Sequence, residues 1–174
     1  MISRLTLGDH SPERIQVVIE IPKGSRNKYE YNYQTGLIHL DRVLHSPLFY
    51  PADYGFVPQT LSPDGDSLDV LVLINQPTFP GCVIEVRPIG ILDMEDEAGH
   101  DAKLIAVALH DPYYNQVQDI TDINSHLKRE IQHFFASYKQ LESNKSCTVR
   151  EWQNKQAAHD AIIAAHEVYT SSTR

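Results

Sequence analysis

The chain has 174 residues, of which 41% are hydrophobic and 22% are charged, as in folded proteins and unlike disordered ones. Its length suits one domain, so we expect residues 1–174 to form a single unit. The formal net charge of -8 argues against nonspecific binding to nucleic acid or to anionic membranes, because such binding depends on Lys and Arg.

The sequence shows no sign of export or of a membrane span. The residues after Met1 include Asp9 and Glu13 and form no apolar signal region, and apolar runs such as 70–74 are only strand-sized. Cys82 and Cys147 stand apart without a CxxC pair, which predicts two reduced thiols. We therefore expect a cytoplasmic protein.

The first two thirds of the chain have the pattern of β structure. Segment 15–21 is rich in β-branched residues and stops at Pro22, and segment 28–33 alternates with period two. A turn at Gly36 leads into a strand over 37–44. Further strands are expected at 68–74, 82–92 and 103–109, separated by loops rich in Pro, Gly and Asp.

One charged residue lies on an otherwise apolar strand face. Arg42 is in register with Ile38, Leu40 and Leu44. An arginine on such a face needs an anionic partner, because an unpaired buried charge is costly. Taken alone, Arg42 is better explained as an ordinary salt-bridge residue.

Two helices are predicted in the last third. The first begins near Ser125, and the second runs from about 154 to 169. The inward positions of the first are Leu127, Ile131, Phe134, Phe135, Tyr138 and Leu141; those of the second are Ala158, Ala161, Ile162, Ala165 and Val168. Short strands followed by two helices predict a mainly β or α+β fold, a small closed five-stranded OB-like β-barrel with two packed C-terminal helices.

Acidic residues are concentrated in two segments. Eight of the 23 acids lie in the acidic loop, residues 64–69, and in the segment 93–101. Carboxylates packed this closely resist ionising together unless a cation lies between them, so the pattern predicts bound metal. Because the ligands are oxygens, Mg²⁺, Mn²⁺ or Ca²⁺ is favoured over zinc.

The acidic loop has one less specific explanation, a surface turn, whereas an EF-hand is ruled out. An isolated Asp-Gly-Asp is most often a surface turn. An EF-hand is excluded, because that loop needs Gly at its sixth and Glu at its twelfth position, where this chain has Asp69 and Asn75.

Anion-binding side chains accompany the acids. Lys28 shares a strand face with Glu30, Lys103 follows Asp101 by two residues, and Tyr138 precedes a lysine on the first helix. Acids for metal together with Arg, Lys and Tyr for anionic oxygens are what phosphoryl transfer requires, because its catalysis consists mostly of positioning and charge neutralisation.

At this level of detail the chain resembles the family I soluble inorganic pyrophosphatases in their short bacterial form. The resemblance runs from about Val17 to the second helix. It rests on six blocks in order: V-V-I-E-I-P (17–22), K-Y-E (28–30), F-Y-P-A-D-Y-G-F (49–56), D-G-D-S-L-D (64–69), D-E-A-G-H-D-A-K (96–103) and H-F-F-A-S-Y-K (133–139). One departure is Ser67, where the family usually has Pro or sometimes Glu; this spacer position affects loop rigidity.

The resemblance implies roles for the acids. Asp64, Asp69 and Asp101 would hold the two metals nearest the attacking water, with Asp69 bridging them, and Asp96 would join Asp101 around a metal that arrives with substrate. Asp66 would be the general base. The acids implied to act through bound water or from behind the metal ligands are Glu20, Glu30 and Glu97.

The resemblance also implies how substrate is held. One phosphate would be gripped by Arg42, Tyr138 and Lys139, and the other by Lys28 and Tyr54. Tyr50 and Lys103 would complete the inner ring. The implied activity is Mg²⁺-dependent hydrolysis of inorganic pyrophosphate, with Mn²⁺ or other divalent ions as possible substitutes, by a homohexamer of two trimers. A helix face with His126 and His133 is a candidate subunit contact, although a solvated surface explains it as well.

Two non-enzymatic alternatives stay open. A small β-barrel of this size could bind single-stranded nucleic acid, although the charge of -8 opposes that function. The acids could also form a structural cation site without turnover. A P-loop nucleotide hydrolase is disfavoured, because no G-x-x-x-x-G-K-[ST] motif occurs.

Overall fold

The structure, a computed structural model, describes residues 2–63, 65–97 and 99–172. Its strands, in chain order, are β1 (Ile15–Ile21), β2 (Asn27–Asn32), β3 (Leu37–Val43), β4 (Asp53–Phe56), β5 (Asp69–Leu73), β6 (Val83–Asp96), β7 (Gly99–His100), β8 (Lys103–Ala108) and β9 (Cys147–Gln153). Its α-helices are α1 (Ser125–Ser137) and α2 (Lys155–Ser172). None of the helices within these ranges has the length and apolar character that a membrane crossing needs.

Five strands form a closed ring. Strand β1 pairs with β4, β4 with β5, β5 in parallel with β8, β8 with β6, and β6 with β1 again. Closure leaves the ring without a free edge, and β7 and β9 extend the far end of β6. The prediction of a small OB-like five-stranded arrangement with two helices is confirmed. Strands β2 and β3 form a separate two-stranded sheet, the hairpin.

Three strands, β4, β7 and β9, were not predicted from the sequence, and β6 is longer than predicted. Strand β4 contains Asp53 and Gly55, which disfavour strands, but pairing with β1 and β5 on either side overrides that preference. A Cβ at Gly55 would lie 1.9 Å from the carbonyl oxygen of Val18, so the close approach of β1 and β4 requires glycine. Strand β6 continues to Asp96, so part of the second acidic segment is strand, and β9 pairs with this extension.

The two helices cover two apolar clusters. Alternate residues of β5 and β8 supply opposite clusters, as expected for the period of two. Helix α1 contributes Ile131, Phe134 and Phe135 to one cluster, and α2 contributes Ala158, Ile162 and Ala165 to the other.

Some helix details differ from the prediction. The N-cap of α1 is Asn124, one residue before Ser125, and its side chain accepts a hydrogen bond from the N–H of His126 at 2.8 Å. Leu141 is exposed because α1 ends before it, and Val168 is exposed because it lies on the outer side of α2.

A buried carboxylate fixes the start of β4. Asp53 accepts hydrogen bonds from the N–H of Lys23 at 2.7 Å, the N–H of Thr78 at 2.9 Å and the hydroxyl of Thr78 at 2.7 Å. These donors satisfy the charge without solvent, so Asp53 has a structural role that holds the neighbouring Tyr54 in place.

Candidate active site

Lys103 lies between two predicted metal ligands. It begins β8, which runs parallel to β5, so Lys103 and Asp69 lie at the same end of neighbouring strands. The ammonium donates to Asp69 Oδ2 at 2.6 Å and contacts Asp101 Oδ1, and only 4% of the side chain is exposed. Two carboxylates that contact the same nitrogen are close enough to share one positive charge.

The charges of this group depend on one another. Although burial lowers the pKa of the Lys103 ammonium, Asp69 and Asp101 raise it well above its usual value. Burial raises the pKa of the Asp101 carboxyl, and the ammonium of Lys103 opposes that shift. The all-oxygen donor set fits a hard divalent cation, and the ammonium that now bridges it shows that positive charge is accommodated there.

A second lysine lies against the next pair of acids. Lys139 follows α1 and donates to Asp96 Oδ2 at 2.9 Å, with Glu97 Oε2 at 3.6 Å. Burial opposes ionisation of Glu97, but a hydrogen bond from Lys145 at 2.6 Å and others from the backbone lower its pKa to about 2. Glu97 is therefore a permanent anion at neutral pH.

The hairpin presents the predicted phosphate-binding cations side by side. Lys28 and Arg42 are directly opposed in the β2–β3 register. Lys28 contacts Glu30 and lies 3.4 Å from Asp41, which also contacts Arg42. Cross-strand neighbours are close enough to act on one ligand.

Glu142 is a partner of Arg42 that the sequence analysis missed. Arg42 Nη2 lies 2.9 Å from Glu142 Oε2, and only 7% of the Glu142 side chain is exposed. The anionic partner expected for Arg42 is thus a carboxylate beyond the end of α1, although Leu40 beside Arg42 is exposed and not part of a core. A single acid three residues after Lys139 offers no sequence signal of this contact.

Three tyrosines complete the site from the apolar side. Tyr50 and Tyr54 have ring centroids 5.5 Å apart, and Tyr138 stacks on Phe134 at 5.1 Å. Lys103 Nζ lies 5.8 Å from the centroid of the Tyr54 ring. Burial raises the pKa of all three phenols above the usual value, so they stay protonated and can donate hydrogen bonds to anionic oxygens.

Glu20 links β1 to the hairpin. Its Oε1 accepts a hydrogen bond from the N–H of Tyr31 at 2.6 Å. Burial raises the pKa of Glu20 to about 7, against the hydrogen bond from Tyr31, and nearby Asp69 adds to the increase. The charge of Asp69 therefore acts on Glu20 and helps to keep it protonated.

This pKa predicts a pH dependence of stability in cation-free protein. Between pH 4.5 and about 7 the folded state binds more protons at Glu20 than the unfolded state, so its contribution to stability is lost as the pH rises. The change from 4.5 to about 7 corresponds to about 3 kcal/mol. Glu20→Gln, which keeps an acceptor for Tyr31, should be more stable than wild type at pH 8 and similar at pH 4.5. Urea unfolding in EDTA at pH 8 and at pH 4.5 measures the stability of the variant and of wild type. Equal stability of the two proteins at pH 8 would contradict the prediction.

The acidic loop enters the site from one side. Asp64 lies outside the described residues. Asp66 is exposed, its carbonyl accepts from the N–H of Ser62 at 2.7 Å, and the N–H of Leu68 donates to Thr60 Oγ1 at 2.9 Å. In the described ranges, which omit Asp64, no three His, Cys, Asp or Glu side chains are grouped closely enough to enclose an ion. Lysines lie among the acids instead.

Carboxylates opposed by Lys, Arg and tyrosine side chains at one side of a five-stranded ring have the chemistry of a cation-dependent enzyme that acts on phosphates. The inorganic pyrophosphatase family model matches residues 17–170. The chain belongs to that family.

Individual relatives agree over nearly the whole length. The inorganic pyrophosphatase of Leifsonia xyli is 55% identical over 148 residues, 85% of this chain and 91% of its own. That of Thermus thermophilus is 50% identical over 165 residues, 94% of both chains. The crystal structure of the Thermus thermophilus inorganic pyrophosphatase matches with a TM-score of 0.95 and 48% identity, over 97% of this chain and 98% of that one.

Proposed function

We propose that this chain hydrolyses inorganic pyrophosphate to two phosphates. The observation that carries the proposal is the pairing of Lys103 with Asp69 and Asp101 inside a family of pyrophosphatases, because it places shared positive charge where the acids meet. We infer further that Mg²⁺ is the working cation, held by Asp64, Asp69, Asp96 and Asp101, and that Mn²⁺ can replace it. Once bound, the cation makes the attacking water more acidic and neutralises charge on the substrate.

Side chains of the protein then take part in the cleavage of the bond between phosphorus and the bridging oxygen. Asp66 accepts the proton of the attacking water as its oxygen bonds to one phosphorus. The bond from that phosphorus to the bridging oxygen breaks, and the leaving phosphate keeps the electron pair. Positive charge held near that oxygen stabilises it most as the bond breaks, which is where catalysis gains.

Substrate orientation falls to two sets of side chains. Arg42, Tyr138 and Lys139 hold one phosphate, and Lys28 and Tyr54 hold the other. The planar fork of Arg42 suits two phosphate oxygens, whereas a lysine acts as a point charge. We propose that Tyr50 and Lys103 complete the inner ring and that Glu20, Glu30 and Glu97 act through water or from behind the ligands.

Phosphate release tests the proposal directly. Purified protein incubated with pyrophosphate and excess Mg²⁺ should release two phosphates per substrate consumed, and an EDTA-treated sample should release none. Cation binding without phosphate release would leave only a structural cation site.

Arg42→Lys should lower kcat/KM although the charge is kept. Loss of one charged hydrogen bond from the fork costs about 1.5–3 kcal/mol, which corresponds to a factor of about 10 to 150. Initial rates over a range of pyrophosphate concentrations measure the effect, with Arg4→Lys, at an exposed position away from the site, as the control. A value of kcat/KM equal to that of wild type would show that the fork of Arg42 does not bind phosphate.

We also propose a hexamer of two trimers built from one-domain subunits, with the exposed His126 and His133 of α1 at a subunit contact. Light scattering after size exclusion measures the assembly. A cytoplasmic location is proposed as well, because Cys82 and Cys147 are unpaired and would remain reduced there.

A further inference from the structure

Two hydroxyls join the hairpin to the acidic loop. Tyr33 Oη lies 2.7 Å from Ser67 Oγ, within the distance of a good O–H···O hydrogen bond. The two residues are 34 positions apart in the chain. The bond therefore connects the element that carries Lys28 and Arg42 with the loop that carries Asp66.

The Tyr33 ring is fixed by aromatic contacts even though 59% of the residue is exposed. It packs edge-on against Tyr31 at 4.9 Å and lies 6.0 Å from Phe56, and both of these rings are buried. Phe56 is paired with Asp69 in the β4–β5 register. The Tyr33 ring is therefore held close to the start of β5, where Asp69 lies.

Ser67 lies within the acidic stretch, next to Asp66 and two residues before Asp69. On its far side the N–H of Leu68 is held by Thr60, whose hydroxyl donates to the carbonyl of Val57 at 2.6 Å. A serine leaves its own φ angle free, whereas a proline at this place would fix it. A side-chain bond from Ser67 is therefore a way to restrict the loop in this chain.

We propose that Tyr33 and Ser67 are positioning residues whose hydrogen bond sets the place of Asp66 relative to the phosphate-binding hairpin. The inference rests on the proposed pyrophosphate hydrolysis, and it adds two residues that do not touch substrate. Lys28 and Arg42, which bind phosphate, stay in place when this hydrogen bond is lost. Loss of the bond therefore lowers kcat and leaves KM for pyrophosphate nearly unchanged.

A double-mutant cycle tests the link. Tyr33→Phe and Ser67→Ala should each lower kcat by about 2- to 10-fold, the range of a neutral hydrogen bond, and the double variant should lose no more than either one. Ser67→Thr keeps the hydroxyl and should retain activity. Tyr113→Phe, which alters a tyrosine that is 76% exposed and lies outside the site, is the control and should not change kcat.

Hydrogen exchange provides a readout independent of turnover. In EDTA, the backbone amides of residues 65–68 should exchange faster in Tyr33→Phe and Ser67→Ala than in wild type, with unfolding midpoints of the whole protein unchanged. Unaltered exchange, additive losses in the double variant, or a rise in KM with constant kcat would overturn the inference. Absence of phosphate release by wild type would instead overturn the proposed function, while the exchange data would still decide whether the bond holds the loop.

Discussion

Asp66→Asn is expected to reduce kcat for pyrophosphate by about 10²- to 10⁴-fold, the contribution typical of a positioned general base. An amide has the shape of the carboxylate but cannot accept the proton of the attacking water at neutral pH. Because Asp66 is not among the proposed ligands, Mg²⁺ affinity should change little. Phosphate release at saturating Mg²⁺ measures kcat, and calorimetry without substrate measures cation binding.

Two further Asp→Asn variants separate the role of a general base from that of a metal ligand. Asp69→Asn should weaken Mg²⁺ binding itself, because the acid is a proposed ligand. Asp160→Asn, on α2 and bonded to Gln156, should change neither quantity. Wild-type turnover in Asp66→Asn would refute the base assignment, and a loss of cation affinity there would show that Asp66 is a ligand.

Lys103→Met should strongly destabilise the cation-free protein. Asp69 and Asp101 would then face one another without the ammonium that now contacts both. Removing one partner of a buried ion pair costs about 3–5 kcal/mol, which lowers the melting temperature of a protein of this size by on the order of 10 °C. The methionine keeps much of the volume of the lysine chain, so the loss reports charge and not a cavity.

Added Mg²⁺ should restore much of that stability, because a cation supplies the charge that the variant lacks. Thermal unfolding in EDTA and in excess Mg²⁺ measures both values. Arg150→Met, which breaks the exposed pair with Glu95, is the control and should change little in either condition. Equal melting temperatures for wild type and Lys103→Met in EDTA would mean that the two acids do not need a shared positive charge.

The sequence predicted the ring strands that read as apolar runs, because burial on both sides of a closed sheet selects β-branched and aliphatic residues. It failed at β4, where Asp53 and Gly55 are required by a buried hydrogen-bond network and by a close backbone approach. Local preference argues against a strand there, and pairing on both sides decides the outcome.

In the candidate site, too, the sequence predicted some features, and others depend on the fold. The spacing of Asp64, Asp66 and Asp69 predicted the acids from the sequence, and the family resemblance predicted the anion-binding groups. The contacts of Glu142 with Arg42, of Asp53 with Thr78 and of Tyr33 with Ser67 could not be predicted from the sequence, because each joins segments that are distant in the chain.

By itself, the sequence determined the kind of chemistry: oxygen ligands for a hard cation and cationic side chains for phosphate, since side-chain type fixes donor and charge. Only the tertiary structure decided which groups share a charge, because the parallel pairing of β5 with β8 places Lys103 against Asp69. Charge interactions fall off over a few ångströms, so the partners of Lys103 and Arg42 are set by the fold and not by spacing along the chain.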